Sequence, residues 1–231
     1  MRIAKYISNA GYCSRREAEK LVIEKKVYIN NKLCEIISTN VNLQDKILVC
    51  GKIIILDSKI KLWKLYKPIE IICTNKDPKK RKTIFDILPK NLPRLISIGR
   101  LDFMTEGLIL LTNNGDFARK LELPSSNILR VYRVCIKGEV SINTIKKINI
   151  GISIKGMFYS KIKVKIEKIK DKHCWLIFKL REGKNREIRN ICEFYNWTIV
   201  KLIRLQYGSI KLTKQNPGQI EEVTRIPSEF L

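Results

Sequence analysis

Apolar positions at the start of the chain recur at helical spacing. Ile3, Tyr6, Ile7 and Ala10 fall on one helix face, and Gly11 can end that helix in a left-handed conformation. Ser14 opens a second helix. Glu17, three residues on, completes the spacing of a capping box, and Ala18, Leu21 and Val22 form its apolar stripe. The pattern then shortens to strands. Val27 to Ile29 and Lys32 to Cys34 flank Asn30-Asn31, which reads as a tight hairpin turn, and Lys46 to Val49 and Lys52 to Leu56 flank a bend at Gly51. From Leu62 onward the segments lengthen and alternate, so the chain divides near residue 60. Leu65-Tyr66-Lys67-Pro68 reads as a strand ended by proline, and Arg130 to Val134 alternates like a strand. Leu108 to Leu111 make a short apolar strand or buried segment, and Asn113-Asn114-Gly115-Asp116 a turn that caps the helix after it.

Composition adds a polyanion to the picture. The 231 residues, 45% hydrophobic, suffice for one good-sized domain and a small one. Lys and Arg total 46 against 22 Asp and Glu, a net charge of +24, and a field of that size draws in nucleic acid. Part of the excess is a bland accumulation of Lys, but not its placement near Arg15-Arg16 and Lys79-Lys80-Arg81-Lys82. No apolar run approaches the roughly 20 residues needed to cross a bilayer, and the first residues lack a signal-peptide core, so a cytoplasmic protein is expected. The seven cysteines never fall in a Cys-x-x-Cys pair and His173 is the one histidine, which predicts no metal and reduced thiols. A single imidazole also excludes hydrolases and nucleases that need two. His173, beside Cys174 and Trp175 in a strand-like stretch, reads as an ordinary half-buried residue.

Arg15 and Arg16 stand at the start of the second helix, where unpaired N–H groups and the positive dipole end already favour an anion. Two guanidiniums there call for an anionic partner such as phosphate. Two short helices feeding a small sheet, with Gly11 to Glu17 carrying the match most specifically, resemble the S4-type RNA-binding domain. Such contacts anchor RNA more than they specify sequence.

The stretch Gly99-Arg100-Leu101-Asp102 presents one carboxylate on a turn before the apolar run that ends at Leu111. It resembles the active-site signature of pseudouridine synthases of the ribosomal RNA type, in the RsuA branch. Further segments extend the resemblance: the strand around Tyr132, Leu180 to Arg189 with its Glu182-Gly183 and basic residues, and Leu202 to Leu205 with Tyr207-Gly208. Asp77-Pro78, Thr83 to Asp86 and Arg204 to Gly208 look closest to the large-subunit (RluB/RluE/RluF-like) members. Three departures stand out, one of them Leu123 before Pro124 in place of a frequent His. Glu70 replaces a usual Gly, which suggests a less sharply turned backbone after Pro68, and Glu187 stands where many relatives have Gln, at a position not needed for chemistry.

The resemblance implies a catalytic Asp102, ionised beside Arg189, with Tyr132 stacking on the target base, Arg100 filling the space it vacates and Leu205 lining the uracil pocket. Lys67, Lys184 and Arg186 join Arg15 and Arg16 as expected RNA contacts. It also implies an α+β protein: a small S4-like RNA-binding domain over residues 1–60, and a catalytic domain over 61–231 with a mainly antiparallel mixed sheet flanked by helices. The expected substrate is a uridine in ribosomal RNA or a pre-ribosomal particle, the expected state a monomer, with no cofactor and no membrane. A small-subunit enzyme and a non-catalytic ribosome-assembly protein remain open as alternatives. An RNA methyltransferase would need a Gly-rich cofactor loop, and no Gly-x-Gly-x-x-Gly occurs among the 11 glycines.

Overall fold

A computed structural model describes residues 1–56 and 59–231. The described residues fall into two compact units. The first comprises Met1–Lys61 with Lys90–Ile96 and Thr112–Phe117, and the second Leu62–Pro89, Ser97–Leu111 and Ala118–Leu231.

In the first unit α1 (Ile3–Asn9) and α2 (Arg15–Ile23) precede a four-stranded antiparallel sheet, β1 (Val27–Ile29), β2 (Lys32–Leu33), β3 (Ile47–Val49) and β4 (Lys52–Ile54), in the order β2-β1-β3-β4. The start of α2 is fixed by its side chains. Ser14 Oγ accepts from Glu17 N at 3.2 Å and Glu17 Oε2 accepts from Ser14 N at 3.0 Å, the reciprocal arrangement of a capping box. Both hairpins turn through left-handed pairs, Asn30 (φ 50°) with Asn31 (φ 67°) and Cys50 (φ 49°) with Gly51 (φ 76°). This twist matches that of the flanking strands. Ile3, Ile7, Ala18 and Val22 from the helices bury against Val27, Ile47 and Val49. Asn114 Oδ1 caps the segment after it, accepting from Asp116 N and Phe117 N at 3.0 and 2.9 Å.

The remaining elements, in chain order, are β5 (Leu62–Lys67), β6 (Ile96–Ile98), β7 (Glu106–Thr112), α3 (Gly115–Glu122), β8 (Arg130–Lys137), α4 (Ile142–Ile150), β9 (Ile152–Ile154), β10 (Met157–Tyr159), β11 (Lys163–Lys170), β12 (His173–Leu180), α5 (Glu187–Phe194), β13 (Thr198–Tyr207), β14 (Ile210–Lys211) and β15 (Ile220–Glu222). The large sheet runs β11-β12-β8-β13-β7-β5-β15, with β14 beside β13 and β6 beside β7. β11 to β13 pair antiparallel through β8, whereas β13 lies parallel to β7, with Arg204 opposite Gly107. The fold is thus α+β around a mostly antiparallel sheet. Its core packs Val134, Ile136, Leu176 and Phe178 of the sheet against Ile148 of α4 and Ile188, Ile191 and Cys192 of α5. Every residue of β7 is buried, so its near-continuous apolar run reads as a central strand. Among the described residues no helix is long and apolar enough to cross a membrane.

One backbone expectation is reversed. Glu70 adopts φ 61°, the left-handed conformation a glycine would take, and its N–H donates to Phe103 O at 2.8 Å. The chain turns as sharply here as glycine would allow. The cross-chain bond holds a side-chain-bearing residue in a strained region.

Candidate active site

The loop between β6 and β7 carries Asp102, and the sequence pins that loop from beneath. Leu101 is buried and its N–H approaches Cys73 Sγ at 3.4 Å. Thr105 N closes a turn onto Asp102 O at 3.0 Å. Lys67, at the end of β5, extends under the loop and donates from Nζ to Thr105 O and Pro68 O, both at 2.8 Å. Lys67 is therefore no RNA contact. It is fully buried, and burial pushes its ammonium down to about 8 against the smaller opposing pull of Cys73, Asp102 and Glu106.

Asp102 itself is half-buried and faces α5. Arg189 donates from Nε to Asp102 Oδ2 at 3.1 Å, and from Nη2 to Met104 O and Thr105 Oγ1 at 2.9 and 3.0 Å. One guanidinium thus holds both the carboxylate and the loop that presents it. Arg186 Nη1 lies 3.9 Å from the same Oδ2, and Arg186 sits in a left-handed conformation (φ 52°) just before α5. Asp102 pairs with these two arginines rather than with Arg100, which is exposed on the loop.

A cavity of about 190 Å³ opens beside this pair, walled by Asp102, Tyr132, Arg189, Leu202 and Arg204 among others. Arg100, Lys184 and Arg186 also reach its lining. The half-buried Tyr132 comes from the centre of β8, opposite Arg204 of β13. Leu205 is not in the wall. The register between β13 and β8 shifts between Arg204 and Gln206, so Leu205 falls in the irregularity, and Leu202 supplies the apolar side instead. A broader groove of about 780 Å³ shares Arg100, Asp102 and Arg186 and continues to Lys76 and Arg81. Asp77 holds Arg81 by a two-point pair, 3.0 Å to Nε and 2.9 Å to Nη2, and this guanidinium keeps the Asp77 carboxyl at about 2. Arg81 is thereby held at the lining of the groove.

The remaining candidate cations are placed differently. Lys184 pairs with Glu182 at 2.9 Å and donates to Phe158 O. Arg15 and Arg16 are exposed at the start of α2, and Arg15 has a carboxylate of its own unit at 3.6 Å, that of Asp116, which also pairs with Lys5 at 2.8 Å.

Two residues in the cavity wall were not singled out by sequence. Glu187 is 3% exposed; Oε2 accepts from Lys184 N at 3.2 Å, and Oε1 has no partner among the described residues. Burial, with Glu182 beside it, pushes its carboxyl up to about 8, so at neutral pH it is a neutral acid, close in shape and hydrogen bonding to the Gln expected there. Arg204 is 2% exposed and donates from Nε to Leu108 O at 2.6 Å, tying the wall to β7. Glu187 was marked in sequence only as a departure, and Arg204 only as a member of the Leu202 to Gly208 segment, with no role attached to either.

Comparison with known proteins agrees with this architecture. Residues 61–194 match the family described as RNA pseudouridylate synthase, and residues 1–47 match the S4 domain. The chain belongs to the RNA pseudouridylate synthase family and is an isomerase of that class. It is 46% identical over 222 residues to an uncharacterized RNA pseudouridine synthase of Rickettsia felis, covering 96% of each chain. It is 35% identical over 226 residues to ribosomal large subunit pseudouridine synthase B of Bacillus subtilis, covering 96% of this chain and 92% of that one. A solved pseudouridylate synthase structure shares the fold, with a TM-score of 0.69 at 24% identity over 97% of this chain and 96% of the other.

Proposed function

We propose that this enzyme isomerises a uridine of large-subunit ribosomal RNA to pseudouridine, with Asp102 as the reacting carboxylate. The observation that carries this reading is the Asp102–Arg189 pair at 3.1 Å on the wall of a cavity that also holds Tyr132. The likeness to the Bacillus subtilis large-subunit enzyme supports the choice of RNA. In the reaction the C1′–N1 bond breaks, the base rotates, a C5–C1′ bond forms and the C5 proton is lost as N1 regains one. Oxidation state is unchanged.

Asp102 acts either as a nucleophile at C1′ or as a base on the 2′ proton, and both roles need it ionised. Arg189 fixes the carboxylate through Oδ2 and leaves Oδ1 for the substrate. The target nucleoside must leave its stack to reach the cavity, at a cost of a few kcal/mol. Stacking on Tyr132 offsets that cost, and Arg100 fills the gap left behind. Arg186 and Lys184, with Lys76 and Arg81 along the groove, contact phosphates, and Arg15 and Arg16 anchor RNA from the S4 domain.

The test incubates purified protein with unmodified large- and small-subunit transcripts and maps pseudouridine by carbodiimide-dependent primer-extension stops. A new stop in the large-subunit transcript alone is expected. A stop only in the small-subunit transcript overturns the choice of RNA, and no stop in either overturns the reaction.

A further inference from the structure

Strands β8, β11, β12 and β13 send alternate side chains to opposite faces of their sheet. On one face Val134, Leu176, Phe178 and Leu202 pack with α4 and α5, and the cavity at Asp102 lies on this side through Tyr132, Leu180 and Leu202. The opposite face is built of cations in register. Lys165 stands across from Ile177, and Ile177 across from Arg133. In the next row Lys168 faces Trp175, Trp175 faces Cys135, and Cys135 faces Lys201. In a third row Lys170 and Lys137 flank His173. The five lysines are exposed and Arg133 is half-buried.

Two carboxylates answer these six cations, Glu167 at 2.7 Å from Arg133 and Glu106 at 3.0 Å from Lys201. Among the described residues Lys137, Lys165, Lys168 and Lys170 have no carboxylate partner. Trp175 organises the centre. The Arg133 guanidinium carbon lies 4.2 Å from the indole centre and Lys168 Nζ 5.9 Å, so cation–π contact holds both charges at the surface.

We propose that this sheet face is a second RNA-contact surface, taking the phosphate backbone of a segment remote from the uridine in the cavity. Protein interfaces have an apolar, charge-depleted centre. Here the indole is overlaid by cations and Cys135 and Ile177 are buried, so the face presents charge rather than apolar surface, carried by Lys165, Lys168 and Lys170 on β11, Arg133 and Lys137 on β8 and Lys201 on β13. That suits a polyanion read without regard to sequence. The inference rests on the reading of this chain as an RNA-modifying enzyme but not on the chemistry of Asp102.

The test measures binding of the full chain to the large-subunit transcript across a range of salt concentrations. Wild type is compared with Lys165→Ala/Lys168→Ala and with a charge-matched control on α4, Lys146→Ala/Lys147→Ala. The face variant is expected to make the slope of log K against log salt shallower by about two, roughly one per lost phosphate contact, with the control nearer wild type. Trp63 and Trp197 are buried at 3% and 4% exposure, so Trp175 reports on this face, and RNA should change its fluorescence in wild type but not in Trp175→Phe. Equal slopes for the two double variants, or a fluorescence change that persists in Trp175→Phe, would overturn the proposal. Unchanged RNA binding would overturn it too and leave an acidic protein surface as the partner the face fits. Failure of the isomerisation assay with the slope change intact would instead count against the reaction.

Discussion

Arg189 binds Asp102 through Oδ2 alone, at 3.1 Å, and the same guanidinium bonds Met104 O and Thr105 Oγ1 in the loop that carries the carboxylate. Oδ1 has no hydrogen-bond partner among the described residues. A planar fork reaches these acceptors from two separate nitrogens, Nε and Nη2, a span that a single ammonium nitrogen does not reproduce. Arg189→Lys should keep the fold and lower kcat by roughly 10²–10³-fold, the scale of losing one preorganised donor. KM for RNA should change little. Steady-state kinetics across a range of transcript concentrations check this.

Glu187 gives the stability of the catalytic unit a pH dependence with a definite sign. Its carboxyl titrates near its usual 4.5 in the unfolded chain and near 8 in the folded one, because burial and Glu182 disfavour the charge. Between those values the folded state binds more protons. Stability from this group is therefore full below about 4.5 and is lost as pH rises toward 8. Glu187→Gln should remove that decline, leaving the variant more stable than wild type at pH 8 to 9 relative to their difference at pH 4.5. Urea midpoints across this range measure it.

Lys67 supports the Asp102 loop from below and does not meet solvent. Lys67→Ala leaves the carbonyls of Pro68 and Thr105 without this donor, at a cost of about 1–3 kcal/mol for an unpaired buried group. The salt dependence of RNA binding should be unaltered. A shallower slope would make Lys67 a phosphate contact after all.

Gly107 is where β7 and β13 run side by side. A Cβ there would lie 2.8 Å from Arg204 N and closer still to Arg204 O, and φ is 102°. Gly107→Ala combines overpacking with backbone strain, each about 1–3 kcal/mol, for a total of roughly 2–6 kcal/mol. Thermal or urea unfolding gives the value.

Features governed by neighbours in sequence were legible in it. The Ser14–Glu17 box, the left-handed Asn30-Asn31 turn, the Asn114 cap and the wholly buried β7 all follow from local chemistry and period. Asp102 and Arg189 were named from motifs, but their separation of 3.1 Å is set by the packing of α5 against the sheet. What sequence did not yield depends on distant partners. Glu70 turns left-handed because Phe103 O receives its N–H, and Lys67 is buried because Thr105 O lies above it. Leu202 rather than Leu205 lines the wall because it shares a face with Arg204 two residues on, while Leu205 falls at the register shift against β8. Glu187 read as an inert departure, since nothing local shows that Glu182 and burial keep it neutral. The cationic rows around Trp175 emerge only when three strands are laid in register.

The proposed role of the Asp102 carboxylate in the reaction can be tested on the side chain itself. The most direct measurement compares wild type with Asp102→Asn on the same transcript, scoring pseudouridine by carbodiimide-dependent stops and RNA affinity by filter binding. The Asn variant should bind RNA within about threefold of wild type, since no phosphate contact is lost, and should form no pseudouridine. An Asn variant that makes the wild-type stop at a comparable rate would contradict that role.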